Sequence, residues 1–312
     1  MTQSAPPPLS DAARLLLVVL PRPRLTSILD IGANPVHPPP YAALLAAGGC
    51  RITGFEPQER AFAALQATRG PLEDYHPHAI GNGQPQQLKV YRISGLTSLF
   101  DPHLPGLAAI GCLGWRHIIS RHDLPTVALD DIPDLAPCDL LKIDVQGAEA
   151  MILDHATRTL APTVAVIVEL RHLQLYEGEP MLGGVDTALR RQGFQLHRFL
   201  FNKSTMLPNS QAARLVRRRH ADQLIDGDAV YLRHPGTLPD WTDAQVMHLA
   251  LLASTCFASH SLVLRCLDDL VRRGTVTADL PAAYVDALPA ELRAPAPAPA
   301  AEAEADPPRP PR

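Results

Sequence analysis

The chain has 312 residues, enough for one large domain or a catalytic domain with an appendage at roughly 150 residues per domain. Hydrophobic residues make up 46% and charged residues 19%, which permits a sizeable core and excludes wholesale disorder. Lys and Arg number 28 against 32 Asp and Glu, a net charge of -4 that argues against broad nucleic-acid binding, which needs a basic footprint.

No apolar run approaches the roughly 20 residues of a membrane-spanning helix. Leu15 to Leu20 is short and follows Asp11 and Arg14, so no signal peptide is predicted. Cys50, Cys112, Cys138, Cys256 and Cys266 include neither a C-x-x-C pair nor metal-type spacing. That scatter predicts reduced thiols in a cytoplasmic protein with no metal centre.

In chain order, the prolines of residues 2–9 form a loose lead-in, and Ser10 caps a helix through Leu20 that Pro21 and Pro23 stop. Strand and helix signals then alternate. Ser27 to Ile31 reads as a strand, Tyr41 to Ala47 as a helix, Arg51 to Phe55 as a strand and Ala61 to Thr68 as a helix. Strands are expected around His76 to Ile80 and Leu88 to Ile93, then at Asp139 to Ile143, with a helix from Ala148 to Thr159. Val164 to Val168 is apolar without alternation, the pattern of a strand covered on both faces, and Phe194 to Phe201 with Ala229 to Leu232 would close the sheet as an antiparallel pair. From Trp241 the texture turns helical. Thr242 and Gln245 fit a capping box, Ser259-His260-Ser261 splits the stretch, and Arg272-Arg273-Gly274 ends it. The organisation predicted is a lead-in over 1–26, an α/β domain over 27–234, a helical appendage over 235–293 that serves dimerisation or covers the sheet, and a disordered Ala/Pro-rich tail over 294–312.

Parallel α/β sheets bind ligands beyond the carboxyl ends of their strands, so the residues to weigh stand there. Asp30-Ile31-Gly32-Ala33-Asn34 lacks the glycines of a pyrophosphate binder, and an acid followed by glycine suits a cationic or zwitterionic ligand; an ordinary strand-to-helix turn is the other reading. Glu56 stands 24 residues beyond Gly32, where a carboxylate can accept from both hydroxyls of a ribose, or is a surface acid before Pro57. Asp144 directly follows a buried strand, and Glu149 falls in the first turn of the next helix, either as site residues or as helix caps. Asp30 and Glu56 read as crevice rather than core residues, so alanine at either is expected to weaken ligand binding without unfolding the protein. Arg217-Arg218-Arg219-His220 would meet an acidic saccharide, a lipid-linked substrate or a membrane surface, or is a solvated loop.

Five motifs together resemble the FkbM family of S-adenosylmethionine-dependent methyltransferases: Asp30 to Asn34, Gly54-Phe55-Glu56-Pro57, Thr97-Ser98-Leu99, Leu129-Asp130-Asp131-Ile132 and Leu141 to Glu149. The likeness runs over residues 27–232. It implies a class I methyltransferase fold, a Rossmann-like and mostly parallel sheet with helices on both faces, and methyl transfer to a hydroxyl of a sugar, glycan or natural-product scaffold. It further implies that Asp30, Gly32, Ala33 and Asn34 line the methionine end of the cofactor, that Glu56 and Pro57 meet the ribose, and that His78, Ala79 and Ile80 lie near the adenine. Asp144 would face the reacting centre and Gln146 and Glu149 the substrate, while Thr97 and Ser98 would contact substrate or cofactor, or equally form an ordinary turn. Two positions depart from the family pattern: Val36 stands where a glycine is usual, and Gln146 where an acid is common.

In-line methyl transfer rests on alignment, worth about 7–11 kcal/mol, and an alcohol acceptor needs a base for its proton. The candidates are Asp144, Glu169 and His172, although a histidine on a polar stretch beside Arg171 is more often a surface residue than a base. A nucleoside-binding scaffold without catalysis is the alternative, and an NAD-type oxidoreductase is disfavoured by the missing glycines.

Overall fold

The computed structural model describes residues 8–34 and 38–294. The start of the proline-rich lead-in, Val36 and the Ala/Pro-rich tail beyond residue 294 lie outside the described residues. Seven strands form the main sheet: β1 (Thr26–Ile31), β2 (Cys50–Phe55), β3 (Glu73–His76), β4 (Leu140–Ile143), β5 (Ala165–Arg171), β6 (Phe194–Thr205) and β7 (Gln223–Arg233). Their order is β6-β7-β5-β4-β1-β2-β3. The first five run parallel, and β7 enters antiparallel between β5 and β6. The sheet is the Rossmann-like α/β arrangement that the alternating strand and helix signals predict.

Ten helices cover it: α1 (Asp11–Val19), α2 (Ala42–Ala46), α3 (Glu59–Thr68), α4 (Leu104–Ala109), α5 (Glu149–Asp154), α6 (Thr157–Leu160), α7 (Leu182–Arg191), α8 (Asp243–Thr255), α9 (His260–Arg272) and α10 (Leu280–Asp286) among the described residues. Successive strand side chains point to opposite faces, and here both faces are buried. Ile28, Leu140, Ile167, Val230 and Ile52 join α1, α8, α9 and α10 in one core. Leu29, Ile31, Leu141, Val166, Val168 and Tyr231 join α5 and α7 in the other. The C-terminal helices are therefore a layer of the sheet's own core. α8 shows why: every residue from Val246 to Ser254 is buried, as a helix apolar on all sides must be. Its start carries the expected capping box, with Thr242 Oγ1 accepting from the Gln245 amide and Gln245 Oε1 accepting from the Thr242 amide. His248 on α8 meets Thr26 Oγ1 at 2.9 Å, and burial pushes its pKa down to about 4, so it stays neutral inside the core.

Several elements differ from expectation. The helix predicted from Ala148 to Thr159 is two, because Asp130 from the preceding turn accepts the backbone amides of Arg158 and Thr159 at 2.8 Å and so starts α6 afresh. The strand expected over His76 to Ile80 divides: β3 ends at His76, and Ala79–Ile80 pairs with Thr126–Val127. Gln86–Tyr91 pairs antiparallel with Ile118–Leu124, a partner strand that the sequence reading lacks, as it lacks α4 and α7. All five cysteines are free, and among the described residues no helix is long and apolar enough to cross a membrane.

One feature of the sheet places the site. On the face shared with α8, the side chains change from apolar to charged at the carboxyl ends of the parallel strands. Ile28 is followed on that face by Asp30, Leu140 by Lys142, and Ile167 by Glu169 and Arg171. Antiparallel β7 supplies Asp228 and Asp226 at the same edge, opposite Glu169 and Arg171.

Candidate active site

β1 and β4 are neighbours with helices leaving on opposite sides, the switch point at which open α/β sheets hold ligands. A cavity of about 1460 Å³ opens there. That exceeds the ~300–1,000 Å³ typical for one small ligand, so it has room for two. Asp30, Gly32, Ala33, Asn34, Glu56, Pro57, His78, Ala79 and Ile80 line it, together with Thr97, Ser98, Asp144, Gln146 and Glu169. These predicted positions come from six separate segments of chain, and the fold brings them to one wall-to-wall space.

His172 and Glu149 do not join them. His172 Nε2 lies 2.9 Å from the exposed Asn202 Oδ1 and His172 is half-buried outside the cavity lining, because β5 has ended at Arg171 and the chain has turned away. Glu149 is buried and committed to its own loop, where its carboxylate accepts from the amides of Val145 and Gly147 at 2.9 Å. Both amides precede α5, so the carboxylate closes the loop that leads into the helix. Burial raises its pKa.

Asp30 also departs from expectation. It is 3% exposed, its carboxylate lies 3.2 Å from Lys142 Nζ, and the buried Tyr41 hydroxyl donates to it. Burial works against the Lys142 charge, yet Asp30 and then Asp144 hold its pKa above the ordinary lysine value. Asp30 is thus a core charge as well as a cavity wall, so its removal is expected to cost stability as well as binding.

The turn after β1 is tight. The amides of Gly32 and Ala33 both donate to the Phe55 carbonyl, and the Asp144 amide donates to Ile31. Gly32 has φ +80, and a Cβ placed there would sit 2.1 Å from the Asp144 carbonyl oxygen, so only glycine fits. Across the gap, Glu56 is 2% exposed with a single side-chain hydrogen bond, from the Gln58 amide at 2.8 Å. Burial pushes its carboxyl pKa up to about 7, with Asp30 adding to the rise and the Gln58 amide opposing it. One oxygen is left for a donor from a ligand.

Gln146 explains its own departure from the family acid. Its backbone is held at φ +58, an uncommon conformation for a non-glycine residue that clusters at functional sites. Its side-chain nitrogen donates to Asp144 at 3.0 Å and to Glu169 at 2.9 Å, while its oxygen accepts from Arg171 at 3.1 Å. A carboxylate at this position would repel two others; an amide ties them together. Asp144, Glu149 and Glu169 each place a carboxylate oxygen within 4.8 Å of the others, a grouping that no sequence spacing announces. Burial first, then Asp144, holds Glu169 well above the usual carboxylate range.

Residues without an assigned role in the sequence reading complete the site. Lys142 neutralises Asp30. Arg171, 4% exposed, gathers Glu169 at 3.0 Å, Asp226 at 2.9 Å and Glu179 at 3.3 Å. Lys203 stands over the Trp115 ring at 5.4 Å on the outer wall. Asp226 and Asp228 could have been found, since two acids at alternate positions of an otherwise apolar strand put charge on a buried face.

The Methyltransferase FkbM domain model matches residues 30–196. No curated protein matches the chain. Among solved structures, the magnesium protoporphyrin IX methyltransferase of Synechocystis PCC 6803 with bound S-adenosylmethionine is 12% identical over 72% of this chain and 76% of its own, with TM-score 0.35. The precorrin-6y C5,15-methyltransferase of Geobacter metallireducens is 11% identical over 71% of this chain and 87% of its own, with TM-score 0.34.

Proposed function

The chain belongs to the FkbM methyltransferase family, and from that premise we propose that it moves a methyl group from S-adenosylmethionine to a hydroxyl of a sugar, glycan or natural-product acceptor. The observation that carries this reading is one cavity, large enough for two ligands, lined by Gly32, Glu56 and Asp144 from three separate segments of chain.

The residues present fit the cofactor. Glu56 is a buried carboxylate with a spare oxygen, suited to a ribose diol. Gly32 lets the first turn close against the Asp144 backbone, and Gly32 and Asn34 both line the cavity. His78, Ala79 and Ile80 offer a ring and small apolar side chains to an adenine. When bound, the cofactor supplies a methyl group on a positively charged sulfur, and the acids at the carboxyl edge of the sheet suit that charge. Asp144 stands at the meeting of the two halves, oriented by the Gln146 amide. Lys142 pairs with Asp30 at 3.2 Å on the same wall. Thr97 and Ser98 border the acceptor half, although Ser98 Oγ already donates to the Gln146 carbonyl at 2.6 Å.

Calorimetric titration with S-adenosylhomocysteine, next to thermal melts with NAD, tests the cofactor. Binding of the former with no stabilisation by NAD is expected, and the reverse pattern overturns the reading. Transfer of labelled methyl groups to a panel of hydroxylated glycosides and metabolites tests the reaction. Cofactor binding without turnover across the whole panel favours the scaffold alternative.

A further inference from the structure

Asp228 is the acid of this cavity that nothing else uses. It lies on β7 directly opposite Glu169 of β5, two residues from Asp226, on the face that turns from apolar to charged at the carboxyl edge of the sheet. Every other acid lining the cavity has a partner. Asp30 has Lys142 and Tyr41, Glu56 has the Gln58 amide, and Glu73 has the Tyr75 hydroxyl. Asp144 has Gln146, while Glu169 and Asp226 share Arg171. Among the described residues Asp228 has neither a hydrogen bond nor an ion pair. Arg171 is held by three carboxylates, Lys142 pairs with Asp30 and Lys203 with Asp226 at 3.6 Å, so among the described residues no cation stands within ion-pair distance of it.

A half-buried carboxylate without a partner costs stability, and such uncompensated groups in a cleft gather at functional sites. We propose that Asp228 is the general base of the reaction, the group that takes the proton of the acceptor hydroxyl. This rests on the methyltransferase reading above. As the acceptor oxygen forms its bond to the methyl carbon, the carbon–sulfur bond breaks with its electron pair going to sulfur, and the hydroxyl proton passes to the Asp228 carboxylate. A cation and an anion become two neutral groups, so the site neither gains nor loses net charge. The other candidates are less free. Glu169 Oε2 is held by Gln146 and Arg171, His172 is outside the cavity, and Asp144 is fixed by the Gln146 amide. The surroundings also set the basicity. Burial first, then Asp144, raises the Asp228 pKa to about 6, with Lys142 opposing and Asp226 and Asp30 adding. A base with a midpoint just below neutral is ionised at work and still takes a proton readily.

Sinefungin, which carries a protonated amine where S-adenosylmethionine carries its transferable methyl group, probes this position without any acceptor. In wild type, sinefungin is expected to bind more tightly than S-adenosylhomocysteine at neutral pH, because a carboxylate stands within reach of its ammonium group. Asp228→Asn should lose about tenfold or more of the sinefungin affinity and less than about twofold of the S-adenosylhomocysteine affinity. Asp228→Glu should recover part of the difference. Wild-type preference should also shrink as the pH is taken below about 6. A variant that loses both ligands equally, or neither, overturns the assignment while leaving the methyltransferase reading in place. If wild type binds neither ligand, the reading and the assignment fall together. Circular dichroism confirms folding, and Asp228→Ser repeats the measurement should the asparagine variant not fold.

Discussion

Removal of the Asp30 carboxylate should cost the fold more than it costs ligand binding. Asp30→Ala leaves the Lys142 ammonium without the oxygen now 3.2 Å away, at a side chain only 13% exposed. Breaking one partner of a buried pair costs about 3–5 kcal/mol, because the remaining charge is stranded. The Tyr41 hydroxyl loses its acceptor as well, and an orphaned buried donor costs about 1–3 kcal/mol. The two overlap, so a loss of at least ~3 kcal/mol is expected, a large part of the ~5–15 kcal/mol that holds a typical protein folded. Lys142→Met alone should cost less, since Asp30 keeps the Tyr41 hydrogen bond. The double variant Asp30→Ala, Lys142→Met buries no charge at this place and should recover most of the loss. Urea unfolding of the three variants and wild type, followed by circular dichroism at neutral pH, reads the coupling. A single Asp30→Ala within about 1 kcal/mol of wild type, or a double variant no better than the single, would refute the argument from stranded charge.

Three further outcomes follow from the same geometry. Glu56 titrates at about 7, so its ionised share grows across neutral pH. Affinity for S-adenosylhomocysteine, whose ribose donates two hydroxyls, should rise from about pH 6 to about pH 8, and Glu56→Gln should flatten the profile in calorimetry. In the ligand-free protein the folded state keeps the Glu56 proton that the unfolded chain has released. Stability attributable to Glu56 therefore falls as pH climbs from the ordinary carboxylate range through about 7, and melts of Glu56→Gln should lack that slope. Gly32→Ala forces a Cβ onto the Asp144 carbonyl at a left-handed backbone position, which alone costs about 1–2 kcal/mol. Its melting temperature should drop and S-adenosylhomocysteine binding should disappear, whereas a wild-type melt with wild-type affinity would contradict the tight first turn.

The sequence by itself determined the alternation of strands and helices, the helix boundaries at Ser10, Thr242 and Gly274, and the segments that end at the cavity, because these depend on local periodicity, capping and glycine placement. It also marked Glu56, Asp144 and the Asp30 turn, since acids after apolar runs stand out against their neighbours. Only the tertiary structure decided which acids are free and which are spent. Glu149 turned inward to its own loop and Glu169 to Arg171 two residues along its strand, while Asp30 met Lys142 and Asp226 met Arg171 between strands far apart in the chain. Nor could a linear reading show α8 sinking into the sheet's core, or Asp228 arriving across from Glu169 on a strand running the other way. Charge in a buried site is settled by what stands within a few ångströms, and that distance is set by packing, not by spacing along the chain.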